Sequence, residues 1–323
     1  MNKQTFKVLQ ILVTIGLLAF VFYQVGLFSE EGRDQFYQTL KGANIFYLLL
    51  CIGVGVLINM CSALKWWMLI RSQKMHAGYW RVFSYYLIGQ FYNLFLPTSV
   101  GGDVVRAYEL GKHSGRQADA VASVFVERYT GVLTLLALAG AAVLLQLSKF
   151  NVDFIIVSLV LFTIGLGFIA WMLFDSRVYA FTKSAVIRLL PMSKGVFIKL
   201  DKLIASLGRF AQDPSALTWA FVNSMVFYFI AVLNVWLTAM VFQVDVSFWH
   251  MLAATPIIML IMNIPLSLGN IGLMEFAYSS VLVLMGYEPA LGLSVAILMR
   301  LKSLFDGAMG GLLAPIFVTQ KHE

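Results

Sequence analysis

The sequence predicts an all-α protein that crosses a membrane several times. First, 60% of its 323 residues are hydrophobic and only 12% are charged, whereas about a quarter of the residues of a soluble protein are charged. Second, apolar stretches of membrane-spanning length recur along the chain. Third, two further apolar stretches are interrupted by proline and glycine. Such an excess of apolar residues is stable only in contact with lipid.

About six uninterrupted stretches approach or exceed the roughly 20 residues that a helix needs to cross a bilayer core. They are 6–25, 45–64, 118–147, 154–174, 216–242 and 290–318. Since they occupy most of the chain, we expect one membrane domain over 1–323 and no appended catalytic module.

The two interrupted stretches, 82–96 and 248–264, each run into a polar break. The first break reads Pro97-Thr98-Ser99-Val100-Gly101-Gly102-Asp103, and the second reads Pro265-Leu266-Ser267-Leu268-Gly269-Asn270. Irregular backbone at membrane depth is tolerated where protein or a water-filled cavity satisfies its polar groups. We therefore expect a cavity beside both breaks.

The placement of lysine and arginine predicts the topology. Lys3 and Lys7 place the N-terminus in the cytoplasm, and the acidic loop 27–44 suits the outer face. The basic segment 175–215 is expected to be cytoplasmic and amphipathic, lying on anionic headgroups. Four basic residues are assigned to the cytoplasmic end of the second span: Lys65, Arg71, Lys74 and Arg81.

These assignments agree only if neither interrupted stretch changes sides. Both are then re-entrant helical hairpins, oppositely oriented, and both termini lie in the cytoplasm. The net charge of +7 is spread over short segments between apolar runs, so it indicates topology and contact with anionic lipid rather than nucleic-acid binding. The cytoplasmic (inner) membrane is the expected location.

The order of span, hairpin and span occurs twice, over 45–147 and 216–318. Both breaks have the pattern Pro-x-Ser-x-Gly, and an arginine follows each inside an apolar helix, Arg128 and Arg300. Inverted repeats with broken helices are typical of transporters, whose substrate site lies at the repeat interface. The second motif is degenerate, because Asn270 stands where the first has Gly102 and no aspartate follows it. The two halves are expected to bind unequal parts of a substrate.

The residues around the breaks favour an anionic ligand. Free amides at the N-terminus of a half-helix attract negative charge, and an arginine inside a membrane needs a partner or a function. The alternative is that the charges pair with one another and only stabilise the fold. Asp103 caps its helix or pairs with a neighbouring arginine, Glu127 pairs with Arg300 or Arg106, and Lys302 pairs with Asp306.

The first break and its flanks resemble a known family. The pattern Asn-x-x-x-Pro-x-Ser-x-Gly-Gly-Asp-x-x-Arg over 93–106, with Glu127-Arg128, Glu275 and Arg300, is similar to the lysylphosphatidylglycerol synthase/flippase transmembrane family. Some members are joined to an aminoacyltransferase or glycosyltransferase domain. Only Thr319–Glu323 follow Val318, so we expect this chain to lack the aminoacyltransferase domain.

The resemblance implies a set of substrate-binding or gating residues. The matching second break adds Pro265, Ser267 and Gly269 to this set. The full set is Asn93, Pro97, Ser99, Gly101, Gly102, Asp103, Arg106, Glu127, Arg128, Pro265, Ser267, Gly269, Glu275 and Arg300.

The predicted function is transport of an anionic phospholipid or a polyprenyl-phosphate-linked lipid by alternating access, without metal or cofactor. The sequence is compatible with a homodimer and does not specify the oligomeric state. One alternative is a membrane-embedded transferase or transferase subunit acting on lipid-linked substrates, with Asp103 and Glu127 as general bases. Another is a scaffold that regulates a partner without transporting. The chain is expected to be a transporter rather than an enzyme.

Overall fold

A computed structural model describes most of the chain, and its described part is helical without a strand. The prediction of an all-α polytopic membrane protein is confirmed. The described residues are 3–95, 101–145, 163–165, 167, 183–184, 194–264 and 266–318. Pro97, Ser99, Pro265 and most of the predicted span 154–174 lie outside them.

Two helices precede the first half. Helix α1 (Lys3–Val25) contains the predicted span 6–25 and is followed by α2 (Glu30–Lys41) after a bend of 93°. The expectation of a loop over 27–44 was therefore wrong for most of its length. Ser29 caps α2 by accepting a hydrogen bond from the Gly32 amide. Two glutamates in the first turn favour the positive end of the helix dipole.

The first half consists of four helices in the predicted order. They are α3 (Ile45–Ser72), α4 (Tyr79–Phe95), α5 (Gly101–Ser114) and α6 (Gln117–Leu145). Lys65 and Arg71 do not follow the second helix, because α3 continues to Ser72 and buries the Lys65 side chain. The prediction that these two residues come after that helix was therefore wrong.

A basic helix, α7 (Lys194–Ala211), separates the halves within the predicted segment 175–215. Leu207 and Phe210 on its apolar face pack against Leu69, Ala122 and other residues of the bundle. Ile198 on the same helix is exposed, so the bundle covers only part of its apolar surface, and its contact with lipid headgroups stays a prediction.

The second half repeats the order of the first. Its helices are α8 (Pro214–Met240), α9 (Phe248–Met262), a short 3-10 turn (Leu268–Asn270), α10 (Leu273–Leu284) and α11 (Pro289–Val318). Asp213 caps α8 by accepting from the Ala216 amide, and proline occupies the first turn. The turn between α9 and α10 uses left-handed backbone at Gly269, Asn270 and Gly272, a conformation that glycine adopts without steric cost.

Within the described ranges, three helices are long and apolar enough to cross a membrane, and the bent pair of α1 and α2 adds a fourth candidate. The three are α3, α6 over Gln117–Ala142, and α8. Helices α9 and α10 have 15 and 12 residues. At the α-helical rise they are about 22 and 18 Å long, short of a hydrocarbon core of about 30 Å. Their lengths support the predicted re-entrant hairpin.

The halves contact each other through equivalent helices. Helix α3 packs on α8, α4 packs on α11, and α6 packs on α9. The contact of α4 with α11 is close at Gly307, Gly310 and Gly311, where an added Cβ would collide with Leu94, the Leu87 carbonyl or the Phe91 ring. Small residues let helix backbones approach closely in a membrane. This α4–α11 contact and its counterpart, the α6–α9 contact, flank the centre of the molecule.

Candidate functional site

A cavity of about 910 Å³ lies between the two halves. All eight helices of the two halves contribute to its wall, as does the turn at Gly269 and Asn270. Most of the wall is apolar. Its polar and charged members include Asn59, Tyr86, Gln90, Asn93, Asp103, Gln117, Arg128, Asn263, Asn270, Tyr278, Arg300, Lys302, Ser303 and Asp306.

Arg128 is the most exposed charged side chain of the central ion pairs. Its Nε and Nη2 donate to the two carboxylate oxygens of Asp103 at 2.7 and 2.9 Å. Asp103 is the third residue of α5, directly after the first break, and Arg128 lies in the middle of α6. Although this pair is bidentate, 48% of the Arg128 side chain remains exposed, and it lines the cavity.

Arg106 and Glu127 lie behind this pair rather than in the cavity wall. Arg106 donates to Asp103 at 3.0 Å and to Glu127 at 2.5 Å. Its guanidinium carbon lies 4.8 Å from the centre of the Trp66 ring, and its side chain is 2% exposed. The expected pairing of Glu127 with Arg106, and of Asp103 with a neighbouring arginine, is confirmed. Their geometry gives these two residues a structural role in holding Asp103.

The second half contains a matching pair. Arg300 donates from Nε and Nη2 to Glu275 at 2.6 and 2.9 Å, and Nη2 also donates to the Asn270 carbonyl. Glu275 is the third residue of α10, as Asp103 is of α5. In each half the acid precedes its arginine by 25 residues.

This spacing corrects the sequence register of the repeat. Aligning the two prolines placed Asn270 opposite Gly102 and left the second half without an acid. The ion pairs instead make Glu275 the counterpart of Asp103. The second motif therefore keeps its carboxylate, a few residues further along than the proline pattern indicates.

The predicted residues of the first hairpin tip meet at a close helix crossing. The Asn93 side-chain oxygen accepts from the Gly102 amide at 2.7 Å. A Cβ on Gly102 would collide with the Gly89 carbonyl, so glycine is required where α5 crosses α4. Gly101 begins α5 without lining the cavity. Asn93 thus satisfies an amide at the start of α5 and also faces the cavity.

In the second tip, Gly269 lines the cavity and Ser267 is buried outside its wall. The structure therefore brings together five of the predicted residues at the cavity: Asn93, Asp103, Arg128, Gly269 and Arg300. Glu275 holds Arg300 from behind.

Sequence reasoning left two lysines out of the site. Lys302 pairs with Asp306 at 2.5 Å, as one alternative predicted, and both line the cavity. Lys65 donates to the Glu127 carbonyl at 2.6 Å. A signal for Lys65 was present, because the apolar run resumes directly after it through Trp66 and Ile70.

The sequence profile of the family described as "Lysylphosphatidylglycerol synthase TM region" matches residues 7–310. The chain belongs to this family. Its membership confirms the resemblance seen in the motif and implies a function related to membrane lipids.

A relative from Methanothermobacter thermautotrophicus, described as "UPF0104 membrane protein", is 22% identical over 330 aligned residues. The match covers 97% of this chain and 96% of the relative. No solved structure matches the chain.

Proposed function

We propose that this protein moves a lipid with an anionic headgroup across the cytoplasmic membrane by alternating access. The lipid is an anionic phospholipid or a polyprenyl-phosphate-linked lipid. The observation that carries the proposal is the Arg128 guanidinium, which is half exposed in a cavity of about 910 Å³ between two matching halves.

The charge of Arg128 supports an anionic ligand. A charged side chain inside a membrane costs a few kcal/mol on insertion scales and therefore has a partner or a function. Asp103 bonds Nε and Nη2 of Arg128, while Nη1 has no hydrogen-bond partner among the described residues. A guanidinium binds phosphate oxygens well. The free Nη1 is thus available to a phosphate without breaking the pair with Asp103.

The shape of the cavity suits an amphiphile. On α6 its wall follows one helical face from Gln117 through Val121 and Phe125 to Val132, a length of about 22 Å at the α-helical rise. Val104, Tyr108 and Leu304 also line the cavity and are largely exposed. Apolar wall of this extent accommodates acyl or prenyl chains while the headgroup contacts Arg128.

The arrangement of the halves supports alternating access. In transporters built from inverted repeats, one repeat or bundle moves against the other around a central site. Here the α4–α11 and α6–α9 contacts are equivalent and flank one cavity. Opening one contact while the other is closed would expose the cavity to the two membrane faces in turn.

Reconstitution tests the proposal. The purified protein is placed in vesicles with tail-labelled fluorescent phosphatidylglycerol, a tail-labelled polyprenyl-phosphate lipid or labelled phosphatidylcholine, and an impermeant quencher reports which leaflet holds the label. We expect faster movement of the anionic lipid than in protein-free vesicles. Arg128→Ala should lower that rate about tenfold or more, the range for losing a charge-assisted hydrogen bond.

Arg33→Ala is the matched control, because Arg33 lies on α2 and its side chain donates only to the nearby Leu27 carbonyl among the described residues. It should leave the rate unchanged. If the wild-type protein moves labelled lipid no faster than protein-free vesicles, the transport proposal is wrong.

A further inference from the structure

The two halves differ in the balance of their buried charges. In the first half, Asp103 and Glu127 face Arg106 and Arg128. In the second, Glu275 pairs with Arg300 and Asp306 pairs with Lys302. These central ion pairs contain equal numbers of acids and bases in each half.

Lys65 breaks this balance. Its side chain is buried, and its Nζ donates to the main-chain carbonyl of Glu127 rather than to a carboxylate. Within the part of the chain that the structure describes, it belongs to no ion pair. We refer to Lys65, Asp103, Arg106, Glu127 and Arg128 as the first-half cluster. With Lys65 charged, this cluster carries one uncompensated positive charge.

The surroundings of Lys65 connect it to the cavity wall. Glu127, Arg128 and Arg106 are the charged groups that act on it electrostatically. An added Cβ on Gly131 would lie 3.3 Å from its Nζ, so glycine leaves room for the ammonium group. Lys65 thus contacts the backbone of the residue directly before Arg128, and its charge lies behind the guanidinium that faces the cavity.

We infer that Lys65 is a specificity-determining residue that makes the cavity select a headgroup with one net negative charge. This inference rests on the proposed function and narrows its substrate to a phosphodiester monoanion. A buried anion is stable when opposite charge compensates it, and one phosphodiester compensates the excess of the first-half cluster. A zwitterionic headgroup leaves that excess in place, whereas a phosphomonoester, which carries more than one negative charge at pH 7, overcompensates it.

Lys65 acts through charge and through the position of Arg128, without contacting the cavity. The test is therefore selectivity rather than rate alone. Vesicles containing tail-labelled phosphatidylglycerol, phosphatidylcholine or phosphatidic acid are compared at pH 7. For the wild-type protein we expect phosphatidylglycerol to move about tenfold faster than either of the other lipids, since buried charge mismatches commonly cost a factor of this size or more.

Three variants change the charge of the first-half cluster in steps. Lys65→Met removes the excess and should abolish the preference for phosphatidylglycerol over phosphatidylcholine. Glu127→Gln raises the excess by one and should shift the preference toward phosphatidic acid. The double variant Lys65→Met/Glu127→Gln restores one excess positive charge and should recover the preference for phosphatidylglycerol. If Lys65→Met does not fold, Glu127→Gln still tests the inference.

The outcomes separate the two proposals. If the wild-type protein moves none of these lipids, the proposed function fails. If it prefers phosphatidylglycerol, and Lys65→Met or Glu127→Gln keeps the same ratios among the three lipids, transport stands and the role of Lys65 is wrong. Lys65→Arg keeps the charge and should retain the wild-type ratios, which a role based only on shape does not predict.

Discussion

The two halves of the protein share a scaffold and differ in the residues that flank it. Each has a Pro-x-Ser-x-Gly motif in its sequence, an acid as the third residue of the next helix, and an arginine 25 residues after that acid. Three residues after the acid, the first half has Arg106 and the second has Tyr278. One residue before the arginine, the first has Glu127 and the second has Met299.

An ion pair of the first half is thus replaced by a phenol and a thioether in the second. Tyr278 and Met299 line the cavity, whereas Arg106 and Glu127 lie behind its wall. This difference indicates that the acid–arginine pair stabilises both halves in the same way. The additional charges, Arg106 and Glu127, are present only in the first half and make it electrostatically different from the second. The repeat alone does not identify which half would bind the proposed anionic headgroup. The flanking charges support the first half.

The largest expected effect comes from removing the two equivalent acids. Asp103→Ala leaves both Arg106 and Arg128 short of a carboxylate, whereas Glu275→Ala leaves only Arg300. Removing one partner of a buried ion pair commonly costs about 3–5 kcal/mol. Thermal unfolding in detergent should show greater destabilisation for Asp103→Ala than for Glu275→Ala. Equal losses would mean that the halves do not differ in this way.

A smaller effect should distinguish the close α4–α11 contact from an open position on α6. Gly310→Val places a branched side chain against the Leu87 carbonyl of α4, while a Cβ on Gly140 of α6 meets no neighbouring atom. Overpacking commonly costs about 1–3 kcal/mol. We expect Gly310→Val to lower the unfolding temperature and Gly140→Val to leave it nearly unchanged. If both variants lower the unfolding temperature by a similar amount, Gly310 in the α4–α11 contact is no more closely packed than Gly140 on α6.

The smallest effect concerns the two cavity arginines. The Arg300 side chain is 26% exposed against 48% for Arg128, and its Nη2 also bonds the Asn270 carbonyl. The Arg300 guanidinium is therefore less exposed than that of Arg128 and makes an additional hydrogen bond within the protein. In the lipid-movement assay, Arg300→Ala should reduce the rate less than Arg128→Ala, by under about tenfold. A larger reduction for Arg300→Ala would place the main anion contact in the second half.

The sequence alone was sufficient for the helical architecture and for part of the site. Hydropathy is a local property, and it located the spans that became α3, α6, α8 and α11 to within a few residues at most of their ends. Proline and glycine also identified both breaks, because proline lacks a backbone N–H donor and glycine adopts conformations that other residues avoid. Both effects are local to the backbone. Arg128 and Arg300 stood out because a charge inside an apolar helix is conspicuous in the sequence itself.

Tertiary structure decided which charges meet. Asp103, Arg106, Glu127 and Arg128 come from two helices, and only their packing shows that one carboxylate serves two arginines while one arginine faces the cavity. It also made Glu275 the counterpart of Asp103 and buried Lys65 within a longer helix. Ion pairing depends on distances of a few ångströms between side chains far apart in the chain, whereas hydropathy depends only on neighbours along it.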